Sequence, residues 1–214
     1  MEMAFDLEKL KQSVLDGDAA GALELTRQAL VENVPPEVLI NQGLIPAMSV
    51  VGKLFEEGEI YIPEMVVASR AMQSCLENLK PLLSKTDIKP LAIIILGTVK
   101  GDLHDMGKNL VKMMLQGAGL EVVDLGTDVA PEKFIQAIQE HGAKLVGLSA
   151  LLTTTMTSMR TTIETIEQSG LRDQVKIMVG GAPVTESFAS QINADGYAPD
   201  ASRAASLAKV LLGL

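Results

Sequence analysis

The sequence predicts an α/β protein in two parts: an N-terminal four-helix bundle over 1–88 and a C-terminal doubly wound parallel sheet over 89–214. Three observations predict it. Apolar residues recur at helical spacing from Phe5 to about Lys85, as in Leu7, Leu10, Val14 and Leu15. After Thr86-Asp87 and Pro90 the pattern changes to short β-rich runs alternating with amphipathic stretches, the pattern of a parallel sheet covered on both faces. The charge divides at the same place: 7 basic and 14 acidic residues in 1–88 leave −7, whereas 11 and 13 in 89–214 leave −2.

In the first part we read helices over 4–16, 18–32, 36–56 and 63–84. Pro35-Pro36 and Pro63 suit helix starts, where the missing amide would have had no partner, and Gly43 with Pro46 should bend or break the third helix. In the second part the strands are 91–98, 121–126, 144–150 and 175–181, with a weak fifth around Gly196-Tyr197-Ala198. Helical stretches lie at 108–118, 131–141, 155–169, 185–193 and 201–212. Five such units suggest the flavodoxin-like strand order 2-1-3-4-5, in which a ligand sits outside the carboxyl ends of the strands at the topological switch point. The loops after the first, third and fourth strands should then carry function.

Composition narrows the function. The net charge of −9 over 214 residues offers no broad basic surface, and with aromatics at 3% and no Trp there is no stacking platform, so no nucleic-acid partner is expected. The start MEMAFDLEKLKQ is acidic and amphipathic rather than signal-like, and a single cysteine, Cys75, cannot pair within the chain, so we expect a cytoplasmic protein. The wholly apolar run 91–96 is too short to cross a bilayer, and no stretch is expected to reach the ~20 residues of a spanning helix, so no membrane partner is expected either. Two histidines and one cysteine cannot build a usual zinc site, so any metal must bring most of its own ligands.

The loop GTVKGDLHDMGKN (97–109) falls at the switch point. A phosphate loop needs four residues between its first glycine and Gly-Lys, then Ser or Thr; here five separate Gly101 from Gly107, and Asn109 follows Lys108. A phospho-acceptor domain needs an aspartate ending the third strand, but this one ends Gly147-Leu148-Ser149-Ala150. The plainer reading of His104 is a helix cap. Its spacing from Asp102 favours another, in which the carboxylate takes Nδ1 and leaves Nε2 as the lone protein ligand of a macrocycle-held metal. His141, ending a helix before Gly142, reads as structural, Cys75 as a small packed hydrophobe, Thr-rich 153–162 as a helix opening and 56–59 as a solvated acidic turn.

Asp102-x-His104-x-x-Gly107, Ser149-x-Leu151 and Gly180-Gly181 resemble the cobalamin-binding domain of methionine synthase and the corrinoid proteins of methyltransferase systems. The resemblance implies that the cofactor's dimethylbenzimidazole leaves the cobalt and His104 takes its place (base-off, histidine-on), with Asp102 as the histidine's partner. It implies that Asp105, Gly107, Ser149, Leu151, Gly180 and Gly181 bind the cofactor. A serine six residues after that of Ser-x-Leu completes the family's relay, and Thr155 stands there. The stretch 50–72 resembles the family's helical cap, which implies that Phe55, Ile62, Met65 and Val66 lie over the upper corrin face; read without the family, they are bundle-core residues.

The function so implied is that of a methyl carrier, accepting a methyl group on Co(I) from a methylamine, betaine, methanol or methoxyarene and passing it on as methyl-Co(III). The chain is too short to add a substrate barrel of about 250 residues. Separate partners are therefore implied: a substrate-specific methyltransferase subunit, a methyl-acceptor methyltransferase serving a thiol or tetrahydrofolate, and a reductive activase. The alternatives are a cobalamin-sensing regulatory protein, which would normally add a DNA-binding module, and the cobalamin subunit of a carbon-skeleton mutase.

Overall fold

A computed structural model describes residues 5–83 and 91–214. The expected boundary at Thr86, Asp87 and Pro90 lies outside the described residues, as do the expected start of the first helix at Ala4 and end of the fourth at Ser84. The described residues form two compact units, one of residues up to 83 together with 117–119, the other of 91–116 and 120–214.

In the helical unit, α1 (Leu7–Leu15) opens on Asp6, whose carboxylate accepts the Glu8 N–H at 3.1 Å, and α2 (Ala19–Val31) opens on Asp18, which accepts the Gly21 N–H at 2.9 Å. Each cap satisfies an amide that has no partner inside its helix. The turn between them holds Gly17 at φ +69°, where a Cβ would collide with Val67 of α5 (Ile62–Leu83). The expected break in the third helix is a change of pitch. α3 (Pro36–Val38) runs into a π-helical turn, Leu39–Leu44, and then α4 (Ile45–Glu56), with the Ile45 N–H reaching the Ile40 carbonyl five residues back. Pro46 has no N–H for an i→i−4 bond, and the wider turn just before it absorbs the mismatch.

The helical stretch Pro36–Glu56 is long and apolar enough by length and composition to cross a membrane, which corrects the expectation that no stretch reaches that length. Its buried residues, Leu39, Leu44, Ala47, Met48 and Val51, recur at helical spacing, and α4 packs on α1 and α5. On α5 the buried face is Met65, Ala68, Met72, Cys75 and Leu79. Burial pushes the Cys75 thiol up, against a weaker downward pull from its bond to Thr26.

The other unit is a five-stranded, all-parallel sheet in the expected order, β2 (Glu121–Asp124), β1 (Ile93–Thr98), β3 (Leu145–Ser149), β4 (Lys176–Gly180) and β5 (Gly196–Ala198). Its helices are α6 (Met106–Gly117), α7 (Pro131–His141), α8 (Met156–Gln168), α9 (Glu186–Gln191) and α10 (Ala201–Leu212). Ile95, Val146 and Ile177 pack with Phe134, Ile138, Met159 and Ile163 in one continuous core. Gly97 makes room for Phe134, whose ring would stand 2.7 Å from a Cβ there.

In this unit β3, β4 and α8 are one residue shorter at each end than expected, and three elements stop two residues short at one end. β1 starts at Ile93 rather than 91. β2 ends at Asp124 rather than 126, because Gly126 at φ +83° leaves the extended region. α9 ends at Gln191 rather than 193, where Asn193 turns to φ 57°. The register pairs Thr98 with Ser149 and Ser149 with Gly180, so the ends of β1, β3 and β4 lie level. The three loops singled out in the sequence therefore emerge along one edge.

Candidate functional site

Asp102 lies in the β1–α6 loop and is wholly buried. Its Oδ1 accepts from His104 twice, from the backbone N–H at 3.1 Å and from the ring Nδ1 at 2.7 Å. Its Oδ2 accepts the Leu151 N–H at 2.7 Å, the Leu152 N–H at 3.2 Å and the Thr155 hydroxyl at 2.6 Å. Burial pushes the carboxyl up, but the bonds from Thr155, Leu151 and His104 outweigh it and hold the group well below the usual carboxylate range. A carboxylate so held stays ionised and can only accept, so in the neutral imidazole the proton sits on Nδ1 and the lone pair on Nε2.

Among the described residues Nε2 has no hydrogen-bond partner, and the His104 side chain is 50% exposed. Leu103 and Met106 flank it in sequence and are 73% and 74% exposed, and Leu151 and Leu152 are exposed as well. Apolar side chains left in water around one available imidazole nitrogen fit a large, mostly apolar planar ligand better than a hydrated metal ion. No cluster of three or more His, Cys, Asp or Glu side chains able to hold a metal ion by themselves occurs among the described residues.

The structure brings Thr155 to Asp102 from the start of α8. A threonine in this position ordinarily caps its own helix, but here it makes no cap bond, and its hydroxyl lies between the Asp102 carboxylate and, at 2.9 Å, the Leu152 carbonyl. Ser149 ends β3, two residues before Leu151, whose N–H reaches Asp102. Asp105 accepts the Asn109 amide at 3.0 Å at the mouth of α6. Gly107, on the first turn of α6, has open space where a Cβ would stand, so nothing within the described chain requires a glycine there. Gly181 is the reverse case: at φ +129° its Cβ would collide with the Ala150 carbonyl, and Gly180 would approach the Ala198 carbonyl at 3.0 Å. Their absent side chains are explained by crowding of their own backbone. In the helical unit, Met65 is fully buried, Phe55 and Val66 are half-buried, and Ile62 is exposed.

Sequence reasoning missed the groups that fasten this loop from the other side. Asp128, at φ 54° in the β2–α7 loop, accepts the Gly101 N–H at 2.8 Å, pairs with Lys100 at 3.0 Å, and gives its own N–H to the Asp102 carbonyl at 2.9 Å. Lys108 is buried and donates to Asp124 at 2.6 Å and to Asn109 at 2.9 Å. Asp124 also receives Lys112 at 3.2 Å and the Gly126 N–H at 3.0 Å. Burial raises the Asp124 carboxyl, but Lys108 and the other donors prevail and lower it. The only sequence signal for this network was a lysine on the inward side of α6.

Two family models, each described as a B12 binding domain, match residues 92–206 and 6–80. Dimethylamine corrinoid protein 3 of Methanosarcina acetivorans is 43% identical over 96% of this chain and 96% of its own length. The methanol:cobalamin methyltransferase complex MtaBC of Methanosarcina barkeri contains a chain that superposes with a TM-score of 0.87 at 28% identity, covering 97% of this chain and 79% of that one. A cobalamin-binding protein of Desulfitobacterium hafniense superposes at 0.80 with 32% identity, over 96% and 98% of the two chains. Matched along both parts of its length, the chain belongs to the family of B12-binding corrinoid proteins of methyltransferase systems.

Proposed function

We propose that the protein is a cytoplasmic methyl carrier, holding a corrinoid in the base-off, histidine-on state and serving a methylated amine or methanol as ultimate donor. The observation that carries the reading is His104, with Nδ1 taken by a buried, ionised Asp102 and Nε2 available amid exposed Leu103, Met106 and Leu151. His104 would hold the cobalt through Nε2, and Gly107 and Ser149 would border the rest of the cofactor. When bound, the corrinoid supplies a cobalt that takes a methyl group from one substrate and yields it to another.

The chain's own part is to control the ligand. Asp102 fixes the tautomer and the orientation of the ring; Thr155 and the Leu151 and Leu152 amides keep the Asp102 charge in place. We assign to Phe55, Ile62, Met65 and Val66 the shielding of the transferred methyl group. The methyl donor and acceptor sites then belong to separate methyltransferases, the acceptor a thiol or tetrahydrofolate, and a reductive activase restores the cofactor. The names carried by similar proteins, for dimethylamine and methanol systems, support an amine or an alcohol over a regulatory role.

The test is to load the protein with cobalamin, co-purify its native partners and screen methylamines, betaines, methanol and methoxyarenes for methyl transfer. Turnover dependent on this chain with one donor class supports the reading. No transfer from any donor, with partners and reductant present, contradicts it.

A further inference from the structure

We propose that Thr98 is a positioning residue for His104. Its side-chain hydroxyl ties the His104 main chain to the end of β1 and so sets how much of the time the imidazole is placed to ligate. The inference rests on the reading of His104 as a cofactor ligand.

Thr98 ends β1 and is completely buried. All three of its polar groups are engaged. Its N–H donates to the Gly126 carbonyl at 3.0 Å, its carbonyl accepts the Val129 N–H at 3.0 Å, and its hydroxyl donates to the His104 carbonyl at 2.9 Å. The two backbone bonds anchor it to the β2–α7 loop, and the next residue, Val99, ties the strand to β3 by donating its N–H to the Ser149 carbonyl at 3.0 Å. The hydroxyl is therefore a rigid point from which one bond reaches six residues forward. His104 is consequently held at three atoms: N–H and Nδ1 by Asp102, and the carbonyl by Thr98. The two Asp102 bonds share a single acceptor oxygen, Oδ1, and leave rotation about that oxygen open. The Thr98 bond, on the opposite side of the residue, removes it.

Without the hydroxyl, the His104 peptide populates orientations in which Nε2 is misplaced, and ligation weakens in proportion to the competent fraction. A bond of this kind alters such a population by roughly three- to tenfold. The histidine-off state makes no demand on ring placement, so the bond favours the histidine-on state. The methyl group of Thr98 serves packing alone, and a serine keeps the function.

Two measurements on Thr98→Val and Thr98→Ser decide the matter. In the full chain without cofactor, amide hydrogen exchange compares the His104 N–H with the Leu151 N–H, which bonds the other oxygen of Asp102 and reports general loosening. Thr98→Val should lower His104 protection by roughly three- to tenfold while Leu151 stays within about twofold, and Thr98→Ser should restore it. In the protein loaded with cob(II)alamin, electron paramagnetic resonance should show the ratio of histidine-off to histidine-on cobalt raised by a similar factor in Thr98→Val and not in Thr98→Ser. Thr98→Ala, which also lacks the hydroxyl, should give the same split between the two amides should the valine variant not fold. Equal losses at His104 and Leu151, or an unchanged His104 amide in the variants lacking the hydroxyl, would overturn the proposal. A wild-type spectrum without a histidine nitrogen would overturn it too, through the reading beneath it, and the wild-type sample alone identifies that cause.

Discussion

Two aspartates hold opposite ends of the sheet in different ways. At the amino ends, Asp195 is clamped by Arg172 at 2.8 Å and Lys176 at 3.3 Å and accepts the Ile177 N–H at 2.8 Å. At the carboxyl ends, Asp102 is more deeply buried, yet among the described residues no lysine or arginine pairs with it; its donors are amides, a hydroxyl and an imidazole. A carboxylate neutralised by cations is a fastening, with little field left beyond its partners. A carboxylate stabilised only by dipoles keeps its charge, and here that charge faces one imidazole. The difference separates a carboxylate that fastens the fold from one that, on the proposed function, tunes a ligand.

Asp102→Asn breaks the comparison hardest. Either the new amide NH₂ faces His104, forcing the tautomer that protonates Nε2, or it faces Leu151, Leu152 and Thr155 and leaves donors without an acceptor. Histidine ligation to added cobalamin should weaken by about 10- to 100-fold, measured from the spectrum of the bound cofactor. The same variant sharpens the acid limb of stability. Asp102 is lowered in the folded state, so its contribution is complete above the ordinary carboxylate range and is lost as pH falls through its lower folded value. Wild-type melting temperature should therefore fall more steeply than that of Asp102→Asn as pH drops below about 4.

Thr155→Val removes one of the five bonds to Asp102 and should weaken ligation by roughly three- to tenfold, whereas Thr155→Ser should match wild type in the same titration. Asp195→Asn should do the opposite: thermal or denaturant unfolding should show a loss of about 1–3 kcal/mol, with histidine ligation within about twofold of wild type. A large ligation defect in Asp195→Asn would erase the distinction between the two ends.

The sheet was legible because its strands are apolar runs bounded by Gly, Asp and Pro, and the alternation with helices leaves few topologies. The Asp102–His104 pair was legible because its partners are two residues apart. Thr155 was placed only through the family pattern; its partner is 53 residues away and its helix-start position reads as an ordinary cap. Asp128 and Lys108–Asp124 were missed for the same reason, with partners 27 and 16 residues away, and Thr98 was missed although its partner is only six residues on. Their bonds link β1, the β2–α7 loop and α6, and nothing local distinguishes Thr98 from any other strand threonine. The π-turn before Pro46 was visible only as a proline and a glycine in a helical run.

The central claim is that His104 Nε2 is the protein's axial ligand. It is tested most directly by electron paramagnetic resonance of the cob(II)alamin-loaded protein grown with ¹⁴N- or ¹⁵N-histidine. His141→Gln should serve as the host, so that His104 is the single labelled residue. The account predicts a nitrogen splitting that changes with the label and disappears in the same protein carrying His104→Ala. A splitting that ignores the label, or survives the loss of His104, would contradict it.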